Sequence, residues 1–152
     1  MIKKNTKGNI ITLLLIAALG ACGAESHQIS LVHQGKPEGV ILLGKNPTQI
    51  EEHSAEELAK YVKAMSGAKL SIVKGMQIGR IKEKNIVLIG RAKTNNKIEE
   101  LCKKGLIKLS PEYPGLDGFI INTVSDKDRN YLVLGGSMDR GTLYAVYHLL
   151  EN

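Results

Sequence analysis

The sequence predicts an α/β (α+β) domain in which a mixed β-sheet forms a sandwich with two main helices. Short apolar runs alternate with segments of helical periodicity along the chain. Residues 86–89 are apolar without a break, which is typical of a strand covered on both faces. Residues 46–67 carry the start signal, the apolar face and the stop signal of a helix. These observations together predict one layered α/β domain.

The N-terminus has the pattern of a secretory signal peptide. An apolar run at residues 10–19 follows a positive segment that contains Lys3, Lys4 and Lys7. The run is about half the length that a bilayer-spanning helix needs. It ends in Leu-Gly-Ala-Cys at residues 19–22, which is similar to the lipobox of bacterial lipoproteins. A plain signal peptide followed by a chance cysteine is the alternative.

From this pattern we expect residues 1–21 to be removed and Cys22 to be lipidated, with residues 22–27 as a tether. The protein would be exported to the bacterial cell envelope and held at the membrane by the attached lipid. About 131 residues would remain, enough for one domain with one core. Their formal charge would fall from +6 to about +3 because the leader takes three lysines and no acid. So modest and unclustered a charge, with few aromatic residues, argues against nucleic-acid binding.

The elements follow in order along residues 28–152. Apolar runs at 29–32 and 39–43, separated by glycine and proline, predict a hairpin-like pair. A helix follows, with Asn46 as N-cap, Pro47 at its first position and Gly67 at its end. Its predicted apolar face consists of Ile50, Ser54, Leu58, Tyr61, Val62 and Met65.

The second half of the domain repeats the alternation. Strands are predicted at 70–73 and 85–90, and a short helix at 97–104. Two more strands, at 118–124 and 130–134, are joined by the polar turn 125–129. A final helix is predicted to start near Ser137, with Gly141 allowing close approach to the sheet. Its sheet-facing residues are predicted to be Leu143, Val146, Tyr147 and Leu150.

Candidate sites are few, and each has a structural alternative. The loop Gly135-Gly136-Ser137 has the form of an anion-binding helix N-terminus, but it lacks the third glycine of a dinucleotide motif and the lysine of a phosphate loop. Ser137 as N-cap, followed by Asp139 in the first turn, explains the same residues. His53 begins an inverted zinc pattern in which Glu57 replaces the second histidine, so a solvated helix face fits better.

The remaining reactive side chains form no recognisable constellation in the sequence. Cys102 has the helical spacing of a small packing residue rather than a nucleophile. Asp126 and Asp128 suit a turn between strands, and no spacing pairs either with Asp117 as acid and base. His27, His33 and His148 are scattered. We therefore predict no catalytic residue, metal site or cofactor in this chain.

Five segments in this order resemble the N-terminal accessory domain that precedes glycoside hydrolase barrels: 54–68, 86–90, 117–121, 132–136 and 140–146. That domain occurs in β-N-acetylhexosaminidases (family 20) and α-glucuronidases (family 67). The resemblance implies an α/β sandwich like the second domain of β-hexosaminidases, or like a zincin without its metal site. It also implies a (β/α)8 catalytic barrel as partner, with the catalytic carboxylates on the barrel. Arg140 and Gly141 match a recurrent pair, with a structural role.

Two functions follow as alternatives. In the first, the chain is the non-catalytic N-terminal part of a carbohydrate-degrading, exported lipoprotein, supporting a barrel that lies outside this sequence. In the second, it is a freestanding surface module that binds a glycan, such as a polysaccharide, or a protein. An autonomous hydrolase is a third reading, disfavoured because no acid/base pair is evident.

Overall fold

The computed structural model describes residues 29–151. These residues form seven strands, three α-helices and one short 3-10 helix (Ile78–Arg80). In chain order the elements are β1 (Val32–His33), β2 (Lys36–Pro37), β3 (Gly39–Leu43), α1 (Gln49–Ser66), β4 (Ser71–Lys74), β5 (Asn85–Gly90), α2 (Asn96–Lys103), β6 (Phe119–Asp126), β7 (Arg129–Gly136) and α3 (Asp139–Glu151). The predicted leader, Cys22, the tether and His27 lie outside the described residues.

Five strands form one mixed sheet in the order β4-β3-β5-β7-β6. The first four are mutually parallel, and β6 is antiparallel to β7 at one edge. The continuous apolar strand is confirmed: β5 lies at the centre, and residues 86–90 are all buried. The predicted mixed-sheet α/β class is therefore confirmed.

The helices cover both faces of this sheet. Alternate strand residues face α1 and α3 on one side, among them Ile41, Val87 and Leu132. The intervening residues face α2 on the other side, where Leu88 and Ile98 belong to a second apolar cluster. The alternation follows from the two-residue period of a strand. Two main helices and a shorter one thus enclose the sheet in three layers.

The predicted hairpin between 29–32 and 39–43 is wrong in its partners. The hairpin pairs β1 with β2 through a turn in which Gln34 and Gly35 have positive φ, 49° and 74°. Strand β3 instead lies between β4 and β5, parallel to both. All five β3 residues are buried. A strand inside a covered sheet buries more apolar surface than a strand in a two-stranded ribbon, and this burial stabilises the observed pairing.

Helix α1 begins two residues later than the sequence predicts. Thr48, not Asn46, is the N-cap: its hydroxyl accepts from the Glu51 amide, and the Glu51 carboxylate accepts from the Thr48 amide. This reciprocal pair is a capping box, which satisfies two otherwise unpaired amides. The C-terminal signal is confirmed, because Gly67 is left-handed with φ of 76°.

The buried face of α1 is also shifted from the predicted one. Ser54, Leu58 and Val62 are buried as predicted, but Tyr61 is 44% exposed and Met65 71% exposed. Ala55 and Glu51 are buried in their place. The small side chain of Ala55 permits close approach of α1 to the sheet. The stripe of α1 that contacts the sheet therefore includes Ala55 and lies beside Tyr61 and Met65.

The hairpin of β6 and β7 is confirmed, with longer strands than predicted and a two-residue turn at Lys127 and Asp128. The sequence also predicts a turn at Gly135 and Gly136, whereas both residues end β7.

In α3, Val146 is fully buried as predicted, while Leu143, Tyr147 and Leu150 are half-buried. Thr142 and Ala145 complete the buried face. Within residues 29–151, no helix is long and apolar enough to cross a membrane.

Candidate functional site

Polar side chains from the loops and first helical turns that follow three strands meet at the carboxyl ends of the parallel strands. Thr48 and Glu51 follow β3, Arg91 and Thr94 follow β5, and Asp139 follows β7. Because parallel strands end at the same edge of a sheet, residues distant in sequence become neighbours there. We call these five residues the Arg91 cluster.

Glu51 is the buried centre of the Arg91 cluster, with 1% of its surface exposed. One carboxylate oxygen accepts from the Thr94 hydroxyl at 2.5 Å and from Arg91 Nε at 3.3 Å. The other accepts from the Thr48 amide at 2.9 Å. Both oxygens are therefore satisfied, as a buried carboxylate requires.

Arg91 joins this carboxylate to the start of α3. Its NH2 group lies 2.8 Å from Asp139 Oδ1, which also accepts from the Thr48 hydroxyl at 3.3 Å. Asp139 thus combines the first-turn position that favours the helix dipole with a partner on another loop. The cluster consists of one guanidinium shared by two carboxylates, and its polar side chains are hydrogen-bonded to one another.

Backbone packing at the same edge is tight. Asn95 Nδ2 donates to Leu42 O and Ile89 O, while its Oδ1 accepts from the amides of the second and third residues of α2. An added Cβ at Gly44 would collide with Thr94 O, and one at Gly136 would collide with the Thr142 amide. The loops after β3 and β7 therefore depend on glycine for close approach.

Beside the Arg91 cluster is an open cleft of about 420 Å³. It lies where α1, following β3, and α2, following β5, leave on opposite faces of the sheet, the position at which open α/β sheets commonly bind ligands. Its lining includes Gly44, Lys45, Met76, Asn96 and Glu100. One exposed ammonium and one carboxylate among apolar and amide groups could hold a small polar molecule, and their arrangement carries no chemistry by itself.

A second ionic group lies on the α2 face. Asp126 Oδ2 is 2.7 Å from Lys104 Nζ and 2.8 Å from Lys97 Nζ. Hydrogen bonds from Lys104 and then Lys97 lower the pKa of Asp126 to about 2. The same contacts, from Asp126 first and then Glu100, raise the pKa of Lys104 to about 12.

Lys97 is itself buried, and its Nζ lies 4.9 Å from the centre of the Tyr131 ring. Burial acts to lower the pKa of Lys97, but its bonds to Asp126 and Glu100 outweigh burial and raise it. Burial has the opposite effect on the Tyr131 phenol, whose pKa it raises. All these groups keep their ordinary charges near neutral pH, so the contacts stabilise the fold rather than prepare an acid or a base.

Three residues near the start of α3 have structural roles predicted from the sequence. Their contacts lie outside the Arg91 cluster. The helix starts at Asp139, which leaves Ser137 one residue before the cap position; its hydroxyl accepts from the Gly115 amide at 3.4 Å. Arg140 NH2 lies 3.1 Å from Asp117 Oδ2 at the surface. An added Cβ at Gly141 would collide with the carbonyl oxygen of Gly118. The roles of Ser137, Arg140 and Gly141 themselves stay predictions.

The other candidates also have defined places. His53 is exposed on α1. The Cys102 thiol is half-buried, donates to Leu109 O at 3.5 Å and has a pKa raised by burial. Asp126 ends β6 and Asp128 lies in the hairpin turn, apart from Asp117 in the loop before β6. Among residues 29–151, no group of three or more His, Cys, Asp and Glu side chains is arranged to hold a metal ion.

The Arg91 cluster was missed by the sequence reasoning. Its first half is readable, because Thr48 and Glu51 stand at the spacing of a capping box. No local pattern indicates that Arg91 and Asp139 lie beside that box. Their meeting depends on strand order, which places β5 and β7 next to each other.

The described residues thus form a three-layer α/β domain in which the polar groups at the strand ends bind one another. Residues 25–149 match the family described as Glycosyl hydrolase family 67 N-terminus, and the chain belongs to this family. The family is the non-catalytic part of α-glucuronidase-like enzymes and normally accompanies a catalytic domain. No curated protein matches the chain significantly.

Proposed function

We propose that this chain is the non-catalytic domain of an exported, lipid-anchored protein of carbohydrate degradation, where it supports a catalytic domain of the α-glucuronidase type. The observation that carries the proposal is the family match, which spans residues 25–149. The matched region begins three residues after Cys22, so a leader at residues 1–21 fits in front of it, and the match overlaps the second half of the expected tether.

An exposed apolar surface supports the partnership with a catalytic domain. Leu116 is 81% exposed, and Met138 is 43% exposed. Their loops lie together, because the Ser137 amide donates to Gly118 O at 2.9 Å. We call Leu116 and Met138 the Leu116 surface. Exposed apolar patches commonly mark contacts with another domain or protein.

The partnership can be tested with a family 67 catalytic domain that lacks its own N-terminal domain. Adding this chain should raise the melting temperature of that domain and its activity on a glucuronic-acid-bearing oligosaccharide. Leu116→Ser should weaken the effect without unfolding the chain. Met65→Ser, which removes an apolar side chain of similar exposure on α1, is the matched control. No effect on the catalytic domain, together with saturable polysaccharide binding by this chain alone, would favour the freestanding glycan-binding module.

The lipid anchor has a separate test. Mass spectrometry of the mature N-terminus should find a diacylglyceryl group on Cys22, and Cys22→Ala should release the protein from the membrane fraction. A mature N-terminus at any other residue, or an unmodified Cys22 in the membrane fraction, contradicts the anchor. The anchor and the catalytic partnership can therefore fail independently.

A further inference from the structure

The exposed apolar side chains of the domain are unevenly distributed. Within residues 29–151, eight large apolar side chains are exposed, and four of them belong to the loop before β6 or to the first half of α3: Tyr113, Leu116, Met138 and Tyr144. These two segments are in contact, because Arg140 pairs with Asp117 and the Ser137 hydroxyl accepts from the Gly115 amide. Single exposed apolar residues are normal, whereas a concentration of them marks a contact surface.

A small pocket opens beside Met138 at the same edge of the sheet. Its volume is about 240 Å³, and Leu109, Pro111 and Met138 form the apolar part of its lining. Pockets for small molecules commonly measure roughly 300–1,000 Å³. The pocket is below this range, and its size suits a single large side chain. In protein–protein interfaces, pockets of this kind hold the anchor residues that contribute most of the binding free energy.

The rim of the pocket is cationic. Arg91 and Lys93 line it, and no acidic residue does. Arg91 is already shared by two carboxylates. Lys93 is exposed and makes no ion pair within residues 29–151. The Glu112 carboxylate, which accepts from the Ser110 hydroxyl at 2.9 Å, is outside the lining. A carboxylate on a partner can therefore pair with Lys93 without displacing a bond of the domain.

We propose that this pocket receives one large apolar side chain of the catalytic domain, such as leucine or phenylalanine, and that an acidic residue beside it pairs with Lys93. The inference rests on the proposed partnership with a catalytic domain and adds the chemistry of the contact. The anchor fills the pocket, the Leu116 surface packs around it, and the charge pair lies at the rim. An apolar centre with a polar rim is the usual form of a protein–protein interface.

Two observations favour the catalytic domain as the occupant. The family to which the chain belongs normally accompanies such a domain. The pocket also shares Met138 with the Leu116 surface, so a partner that covers one of them also covers the other. Within that partner, the volume of the pocket selects a single apolar side chain, and the unpaired Lys93 ammonium selects a carboxylate next to it.

Calorimetry with an isolated family 67 catalytic domain that lacks its own N-terminal domain tests the pocket. The full-length chain is used in detergent. Ser110→Phe, which adds a ring to the pocket lining, should lower the affinity roughly ten-fold or more at an unchanged melting temperature. Lys93→Glu should lower it roughly three-fold or more at low salt, and much less at about 0.5 M salt, where surface charges are screened. Lys45→Glu, on the exposed loop after β3, is the matched control and should change nothing.

The outcomes separate the pocket from the partnership. If Leu116→Ser weakens binding while Ser110→Phe and Lys93→Glu bind as tightly as the unmodified chain, the pocket is overturned and the partnership stands. If the unmodified chain does not bind the catalytic domain, both are overturned.

Photo-crosslinking identifies the side chain that enters the pocket. The photoreactive residue p-benzoylphenylalanine, placed at Pro111, should crosslink to the catalytic domain at a large apolar residue with an acidic residue within four positions. The same group placed at Met76, which is exposed on the loop after β4, is the control and should give no crosslink. Crosslinking from position 111 to a second copy of this chain, or to a site without that apolar and acidic pair, would overturn the inference.

Discussion

Replacement of Gly141 by alanine separates helix propensity from packing because the two predict opposite signs. In an exposed helix interior, glycine to alanine stabilises by about 1 kcal/mol. Here the new Cβ would collide with Gly118 O and lie 3.1 Å from Gly136 Cα, and both neighbours are backbone. Overpacking costs about 1–3 kcal/mol, and so close an overlap with a backbone oxygen belongs to the upper part of that range, about 2–3 kcal/mol. We therefore expect Gly141→Ala to lose about 1–2 kcal/mol after the propensity gain.

Urea unfolding followed by circular dichroism measures this loss. Tyr144→Ala is the matched control on the same helix, because Tyr144 is 41% exposed and its change should stay within about 0.5 kcal/mol. A second variant, Gly141→Ser, should also destabilise, since it carries the same Cβ. If Gly141→Ala is as stable as the unmodified chain or more stable, the close contact of α3 with the loop before β6 is refuted.

Three further predictions concern charge and backbone strain. Glu51→Ala should cost about 3–5 kcal/mol in urea because Arg91 loses its buried partner, and Glu51→Gln, which keeps the shape, should cost less; equal losses would contradict a role for the charge. The pKa of Asp126 is about 2 when folded, so its contribution is present above about pH 4 and is lost as pH falls toward 2. Asp126→Asn should therefore weaken the pH dependence of the urea midpoint between about pH 4 and 2, and an unchanged pH dependence would refute the ion pairs. Lys127→Gly should stabilise by up to about 1 kcal/mol because φ is 59° there, whereas Lys127→Ala should not.

The sequence predicts those parts of the fold that depend on local chemistry. The Gly67 stop, the buried run at 86–90 and the β6–β7 hairpin can each be read from a few adjacent residues. The helix start was misplaced because Asn46-Pro47 is a sound local signal, yet Thr48 and Glu51 form a better one two residues on. The competition between two caps is decided by the burial of Glu51.

What the sequence could not predict depends on strand order. The pairing of β3 with β4 and β5 joins segments separated by whole helices. The same order places Arg91 between Glu51 and Asp139. The exposure of Tyr61 and Met65 likewise follows from the way α1 packs on the sheet through Ala55 and its buried neighbours, which helical periodicity alone leaves open.

The Glu51 carboxylate links two segments: one oxygen accepts from the Thr48 amide at the start of α1, and the other accepts from Thr94 and Arg91 in the loop after β5. The first turn of α1 therefore cannot fray while the loop after β5 stays in place. In native-state hydrogen exchange, the Thr48 amide should open only together with the Arg91 amide, which donates to Thr94 Oγ1. Helix ends usually exchange first, but this one should exchange as part of a larger cooperative unit. The capping box thus turns the first turn of a surface helix into a late-opening segment of the domain.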